Sequence, residues 1–339
     1  GAIAQHGAAA EPRAKAAIRL RLTTVGGMPF CALPLDSLTF FVKGIPGVAA
    51  RIYEQIHSSC VGLRVRHATA LAETRLAARA VEEVGFDDSA AMLPVTRSGF
   101  GGFRLLQEYF LLPERFMFFR LTGLGPAVAA SRGQDLEITI LLDRSEPLLE
   151  NALDAGNFRL NCTPVINLFP KACGRIELNG RDVDYHILPD RNRPQDFEVY
   201  GVTEVTGIGR ESAENFRIAP FYSASHRSAA NEDRAYYTLQ RRPRLTSMRQ
   251  ARTGERTTYL GSECFISVAD TAQRFEGNAT LHADIVALCT NRDLPMYATF
   301  GKGRTDFVLD TGAPVDCVRC VIKPTPPRPA AAWGRARGA

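Results

Sequence analysis

No apolar stretch of this 339-residue sequence approaches the roughly 20 residues that a membrane-spanning helix needs; runs such as 116–119 and 138–142 fall far short. That reading excludes a helical membrane span. The opening has no basic segment followed by an apolar one, so it does not read as a signal peptide, and it begins at Gly1 rather than Met, which reads as a truncated start. Histidine is scarce. His6, His57, His67, His186, His226 and His282 fall into no H-x-x-x-H or H-E-x-x-H spacing, so the sequence offers no metal cage. The eight cysteines are too few for a disulfide scaffold and are read as reduced and packed as small hydrophobes. Cys317 and Cys320 form a lone C-x-x-C with no second pair to complete a zinc site, which leaves two residues that happen to share a strand.

Charge of one sign is lacking as well. The 41 basic residues are interspersed with 36 acidic ones, and the one dense cluster is Arg241, Arg242 and Arg244, with Arg249 and Arg252 nearby. Tight nucleic-acid binding needs a stripe of phosphate contacts, so the cluster reads as a solvated loop or a contact for an acidic protein. No G-x-S-x-G nucleophile elbow is present. The glycines Gly99, Gly101 and Gly102 lack the spacing of a phosphate-binding loop and read as a turn into a helix.

One enzymatic spelling does occur. Residues 307–313, FVLDTGA, match the aspartic-protease signature, in which two aspartates share a proton. There is a single D-T-G, and only 27 residues follow Gly312, too few for a catalytic lobe. The expected chain is not an enzyme and uses no cofactor; a dimeric aspartic protease acting through Asp310 is the alternative.

Hydrophobic residues are 45% and charged residues 23%, an ordinary globular composition, and the length exceeds what one core fills. Alternation predicts strands at 18–24, 37–42, 61–68, 115–121 and 136–142. Helical spacing at Val48, Ile52, Tyr53 and Ile56 predicts a helix over 47–58, and Leu105, Leu106, Tyr109 and Phe110 give a second, over 103–111, an apolar face. Residues 70–80 fit either form. The Pro-bearing stretch 143–156 marks a boundary. Beyond it come short strands at 183–188, 197–205, 235–239, 263–269, 279–288 and 305–309, cut by turn signals at 179–180, 190–194, 277–278 and 310–314. The expected fold is α+β and β-dominated, multi-domain, with sandwich or barrel-like antiparallel sheets and a few short helices. Its parts are an α+β domain over 1–156, a β-rich domain over 157–322 and a Pro/Ala/Arg-rich connector over 323–339.

Aromatic residues cluster at Tyr109, Phe110, Phe116, Phe118, Phe119, Phe221, Tyr222, Tyr236 and Tyr237. Neighbours in a strand point to opposite faces, so if one face is core the other meets a second layer or a partner. Two polar turns are candidate interface positions. Asp190, Arg191 and Arg193 lie in a Pro-bracketed turn, and Asn291, Arg292 and Asp293 lie between apolar segments; either set pairs charges across an interface or fixes its own loop.

Several blocks carry a family likeness. Residues 102–119, GFRLLQEYFLLPERFMFF, then 162–169, CTPVINLF, then 185–200, which holds Pro189, Asp190, Arg193 and Pro194, stand in order along the chain. Phe221, Tyr222 and His226, then Tyr236 and Tyr237, then LCTNRDLP at 288–295 and KPTPP at 323–327 follow. Together they resemble TssF, also called VasA or ImpG, of the type VI secretion baseplate. The resemblance implies a longer parent protein and a structural, cytoplasmic role at a baseplate docked on the inner membrane of a Gram-negative bacterium. It implies as partners TssG, TssK, TssE, VgrG and a second TssF copy, two per TssG, with no nucleic acid and no membrane insertion.

Overall fold

The computed structural model describes residues 11–67, 73–95, 100–179, 181–208, 215–221, 235–245, 259–270 and 281–328. The chain divides into two units, Gly1–Val165 and Ile166–Ala339. Strands dominate both.

The strands of the first unit are β1 (Ala16–Thr23), β2 (Leu38–Val42), β3 (Cys60–His67), β4 (Glu73–Ala77), β5 (Val81–Glu83), β6 (Phe118–Leu121), β7 (Asp135–Leu142) and β8 (Phe158–Leu160). They form two four-stranded sheets, in the orders β1-β7-β3-β4 and β5-β6-β2-β8. Because strand side chains alternate, Ile18 and Leu20 point inward from β1 while Arg19 and Arg21 stay outside. The register sets Ile18 and Leu63 on either side of Ile140, and Leu20 and Val65 on either side of Ile138. A slip of one residue would turn this whole set to solvent, so burial fixes the pairing.

Helix α1 (Pro46–Ser58) starts with a proline in its first turn, where no N–H partner is lost. It buries Ala49, Ile52 and Ile56 in the core that both sheets share. Burying each isoleucine fully contributes about 1.5–3 kcal/mol. In the second sheet Phe40 lies opposite Phe119 with ring centroids 5.2 Å apart, and Phe41 opposite Phe118 at 4.7 Å. Neighbouring residues of β2 face opposite ways, yet Phe40 and Phe41 are both buried, so both faces of this sheet are covered.

The ambiguous stretch 70–80 holds β4, followed by a single 3-10 turn at Ala78–Ala80; residues 68–72 lie outside the described part. The boundary stretch contains the four-residue helix Pro147–Glu150 and the start of a 3-10 turn at Ala155–Asn157. Past it, β8 pairs with β2, so the first unit continues beyond residue 156.

The second unit contains β9 (Phe169–Ala172), β10 (Ile176–Leu178), β11 (Tyr185–His186), β12 (Glu198–Ile208), β13 (Asn215–Arg217), β14 (Ala219–Pro220), β15 (Ala235–Pro243), β16 (Ser262–Asp270) and β17 (Leu281–Thr290). One sheet has the order β10-β17-β12-β13 with β9 also on β17, and the other has the order β11-β16-β15-β14. All pairings are antiparallel except the two-residue contact of β14 with β15. Ile176, Val199, Ile266 and Ile285 belong to one core fed by both sheets. No strand forms at 305–309; a single bridge between Phe307 and Val318 is all the pairing there. Asp310 and its neighbours carry turn residues, which leave no alternating partner strand to extend it.

Candidate interaction surface

Helix α2 (Gly101–Leu111) forms where the apolar spacing predicts one, but it is turned the other way. Its charged residues are inside: Arg104 is 8% exposed and Glu108 2%. Its apolar residues are outside, with Phe103 66%, Leu106 56% and Phe110 62% exposed, and Tyr109 about as open.

The inversion has a polar cause. One oxygen of the Glu108 carboxylate accepts backbone N–H groups from Met92 and Leu93 at 3.0 and 2.9 Å. The other lies 3.2 Å from the Arg104 guanidinium and also pairs with Arg115, which is 2% exposed. Arg104 reaches on to Asp88 at 2.8 Å, and Arg115 donates to the carbonyls of Gly85 and Ala90 at 2.7 and 2.8 Å. Arg115 also lies 4.7 Å from the centre of the Phe116 ring. A buried carboxylate is tolerable only when its lone pairs are met by donors, and here the segment 85–93 and the turn Pro113–Phe116 supply them. Burial and the neighbouring Arg104 charge lower the Arg115 pKa from its ordinary value.

The start of α2 is shaped by a ring. A Cβ on Gly102 would come within 2.3 Å of the Phe100 side chain, so the residue there must be glycine for the ring to lie as it does. Phe100 packs edge-on to Phe103 at 5.6 Å, and Tyr109 packs against Phe110 at 5.6 Å and the buried Phe116 at 6.1 Å. The result is a run of exposed aromatic rings fixed from below by ion pairs.

One of the two predicted polar turns reaches the chain just past the other. Arg292, with a φ of 52°, donates to the carbonyl of Gln195 at 2.7 Å and to those of Tyr259 and Leu260 at 2.8 and 3.1 Å. Asp190 accepts the N–H groups of Asn192 and Arg193 at 2.9 and 3.1 Å, which pulls its pKa below the usual carboxylate value. Arg191 donates to the Arg175 carbonyl at 2.9 Å, Asn291 donates its N–H to the Asn167 side chain at 3.2 Å, and Asp293 is buried. Beside them Tyr259 donates its hydroxyl to Glu198 at 2.7 Å; burial first, and that carboxylate second, raise the tyrosine pKa. The arrangement holds three chain segments in one place.

The deciding observation lies in the sequence as a whole. The model of the family described as "Type VI secretion system, TssF" matches residues 2–337. The chain belongs to the TssF family. It is similar to the type VI secretion system component TssF1 of Pseudomonas aeruginosa, 40% identical over 321 residues that make up 95% of this chain and 52% of that protein. The chain thus spans about half the length of the curated relative it matches. A chain in the cryo-electron microscopy structure of the type VI secretion TssK-TssF-TssG baseplate subcomplex shares its fold, with a TM-score of 0.59 and 22% identity over 81% of this chain and 47% of that one.

Within this TssF-family chain the other chemical motifs do not converge. Asp310 is exposed and follows the exposed Val308 and Leu309, with no strand pairing around it beyond the Phe307–Val318 bridge, so the protease reading gains no support. All eight cysteines are free. Only Cys264 and Cys289 are buried, while Cys31 and Cys317 are exposed, which corrects the reading of a wholly buried set: strand ends and loops leave apolar neighbours open to water. Among the described residues no three metal-ligating side chains cluster, and no helix is long and apolar enough to cross a membrane. The arginine cluster turns to its own unit: Arg241 donates to the carbonyls of Val199 and Tyr200, Arg242 pairs with Asp184, and Arg244 donates to the Pro194 carbonyl at 3.0 Å. Gly99, Tyr222, His226, Arg249 and Arg252 lie outside the described residues.

Proposed function

We propose that this chain is a structural, non-catalytic part of a type VI secretion baseplate wedge. It assembles with TssG, TssK, TssE and a second TssF copy around the VgrG spike, on the cytoplasmic side of the inner membrane, and supports assembly and contraction of the sheath and tube. The observation that carries this reading is α2, whose ion pairs spend the helix's charge inward and present Phe103, Leu106 and Phe110 to a partner. Large exposed apolar faces on folded proteins mark interaction sites. Family membership and the subcomplex in which a chain of this fold sits beside TssK and TssG both support it.

The loops held by Asp190, Arg191 and Arg193 and by Asn291, Arg292 and Asp293 belong to the proposal as a second contact surface. A partner meets their fixed shape there, because most of the charges are already engaged within the chain.

The test is co-expression of the full-length parent with its cognate TssG, followed by light scattering after size exclusion. A complex with two copies per TssG is the expected mass. A parent protein that elutes alone, with TssG folded and present, overturns the reading.

A further inference from the structure

The outer face of the sheet β1-β7-β3-β4 is not balanced in charge from row to row. Register sets Arg21, Glu137, Arg66 and Glu73 side by side across the four strands, so that row alternates in sign. The next row differs. It reads Arg19, Thr139, Arg64 and Arg75, with three guanidinium groups, one neutral residue and no carboxylate. Like charges directly opposite on neighbouring strands destabilise a sheet, so Arg64 facing Arg75 brings folding no gain. The row draws on carboxylates of the row beside it: Arg19 lies 3.7 Å from Glu137 and Arg64 3.8 Å from Glu73, while Arg75 alone is close, at 2.9 Å from Glu73. Glu137 is already taken by Arg66 at 2.8 Å. The acids also lie deeper. The side chains of Arg21 and Arg75 are 66% and 59% exposed, against 15% for Glu137. Together with Asp135, which pairs with Arg21 at 3.0 Å, the face sets five arginines over three carboxylates, an excess of two positive charges on the outside.

Resting on the assembly reading for the partner being a protein, we propose that this face docks an acidic segment of another protein, whose carboxylates complete the row of Arg19, Arg64 and Arg75. Every cation of the face is arginine, whose planar fork meets a carboxylate through two parallel bonds. The same face of a second copy would set arginine against arginine across a two-fold axis. A nucleic acid asks for more than the face offers. Three strand spacings of about 4.8 Å make the row roughly 14 Å long, room for two or three anionic groups, whereas salt-sensitive nucleic-acid binding rests on about 6–10 phosphate contacts.

The experiment titrates this chain into a fluorescent peptide of alternating Glu and Thr and reads anisotropy. Binding is expected at low salt and weakens as salt rises. Arg19→Ala with Arg75→Ala should weaken it at least roughly tenfold, since two charge-assisted contacts are lost together. Arg13→Ala with Arg51→Ala removes the same charge from exposed positions elsewhere and should not. Thr139→Glu tests the row from within: it sets a carboxylate between Arg19 and Arg64, so it should weaken peptide binding by a similar factor and leave the melting midpoint at or above that of the unsubstituted chain. A chain that does not bind the peptide at low salt overturns the proposal. So does equal weakening by the Arg13 and Arg51 pair, or a Thr139→Glu chain that melts lower or still binds the peptide. A single-stranded oligonucleotide of equal charge that binds more tightly than the peptide overturns it as well. TssG is absent from this experiment, so a chain that ignores the peptide while its full-length parent still assembles with TssG removes this inference and leaves the assembly reading standing.

Discussion

Glu108 and Arg115 meet in the interior of the first unit, each about 2% exposed, although both come from a block rich in phenylalanine and leucine. Their pairing decides which side of α2 faces water. Removing one partner of a buried pair strands the other charge. Glu108→Gln is expected to lower stability by about 3–5 kcal/mol, because the buried Arg115 guanidinium then lacks a counter-charge and Arg104 keeps only the exposed Asp88. Urea unfolding would show it as a lower midpoint with an unchanged slope. A loss under about 1 kcal/mol would mean that the carboxylate is not the anchor.

Arg292 gives a contrasting prediction. Its guanidinium ties together the carbonyls of Gln195, Tyr259 and Leu260, so Arg292→Ala should cost about 2–3 kcal/mol. Lysine should not rescue it, since a single ammonium lacks the fork that reaches separate acceptors. Hydrogen exchange at 259–262 should quicken in both variants. If stability and exchange stay unchanged while complex formation with TssG is lost, the residue is a direct contact instead.

Asp306 links the end of the chain to pH. Its carboxylate accepts the N–H of Cys320 at 2.9 Å and of Gly301 at 2.6 Å, and these bonds hold its pKa below the usual carboxylate value. A depressed folded pKa stabilises in full above the unfolded value and is lost as pH falls through the folded one. The turn between Gly301 and Cys320 should therefore loosen only in acid, below the ordinary aspartate range, with no change between pH 6 and pH 8 by that group. Amide exchange at Cys320 across pH reads this directly; the same pH response in Asp306→Asn would rule the carboxylate out.

Asp310→Asn should be silent. An exposed turn aspartate outside any packed feature changes stability by no more than about 0.5 kcal/mol, and complex mass with TssG should match that of the parent protein. Loss of a peptide-cleaving activity on this substitution would restore the protease alternative.

Local pattern was enough for the elements. The alternation through Ile18 and Leu20, and through Leu136, Ile138 and Ile140, specifies strands with one buried face, and the spacing of Ile52 and Ile56 specifies a helix lying on a core. The short strands β9, β10, β13 and β14 carried no comparable signal, being too brief for a period to repeat. The helix at Gly101–Leu111 was legible, but its apolar spacing did not say whether that face packs or meets water. One signal was available: Arg104 and Glu108 lie one helical turn apart with Arg115 close behind, while the opposite side carries no charge.

The sequence by itself determined the family, the β-dominated class and the positions of the main strands and helices, because periods of 2 and 3.6 residues are local properties of the chain. Only the tertiary structure decided that α2 hides its charges and that Arg292 closes one site with Gln195, 97 positions away. Those outcomes depend on donors and acceptors from distant segments. A buried charge is stable only when such partners arrive, and no local period records their arrival.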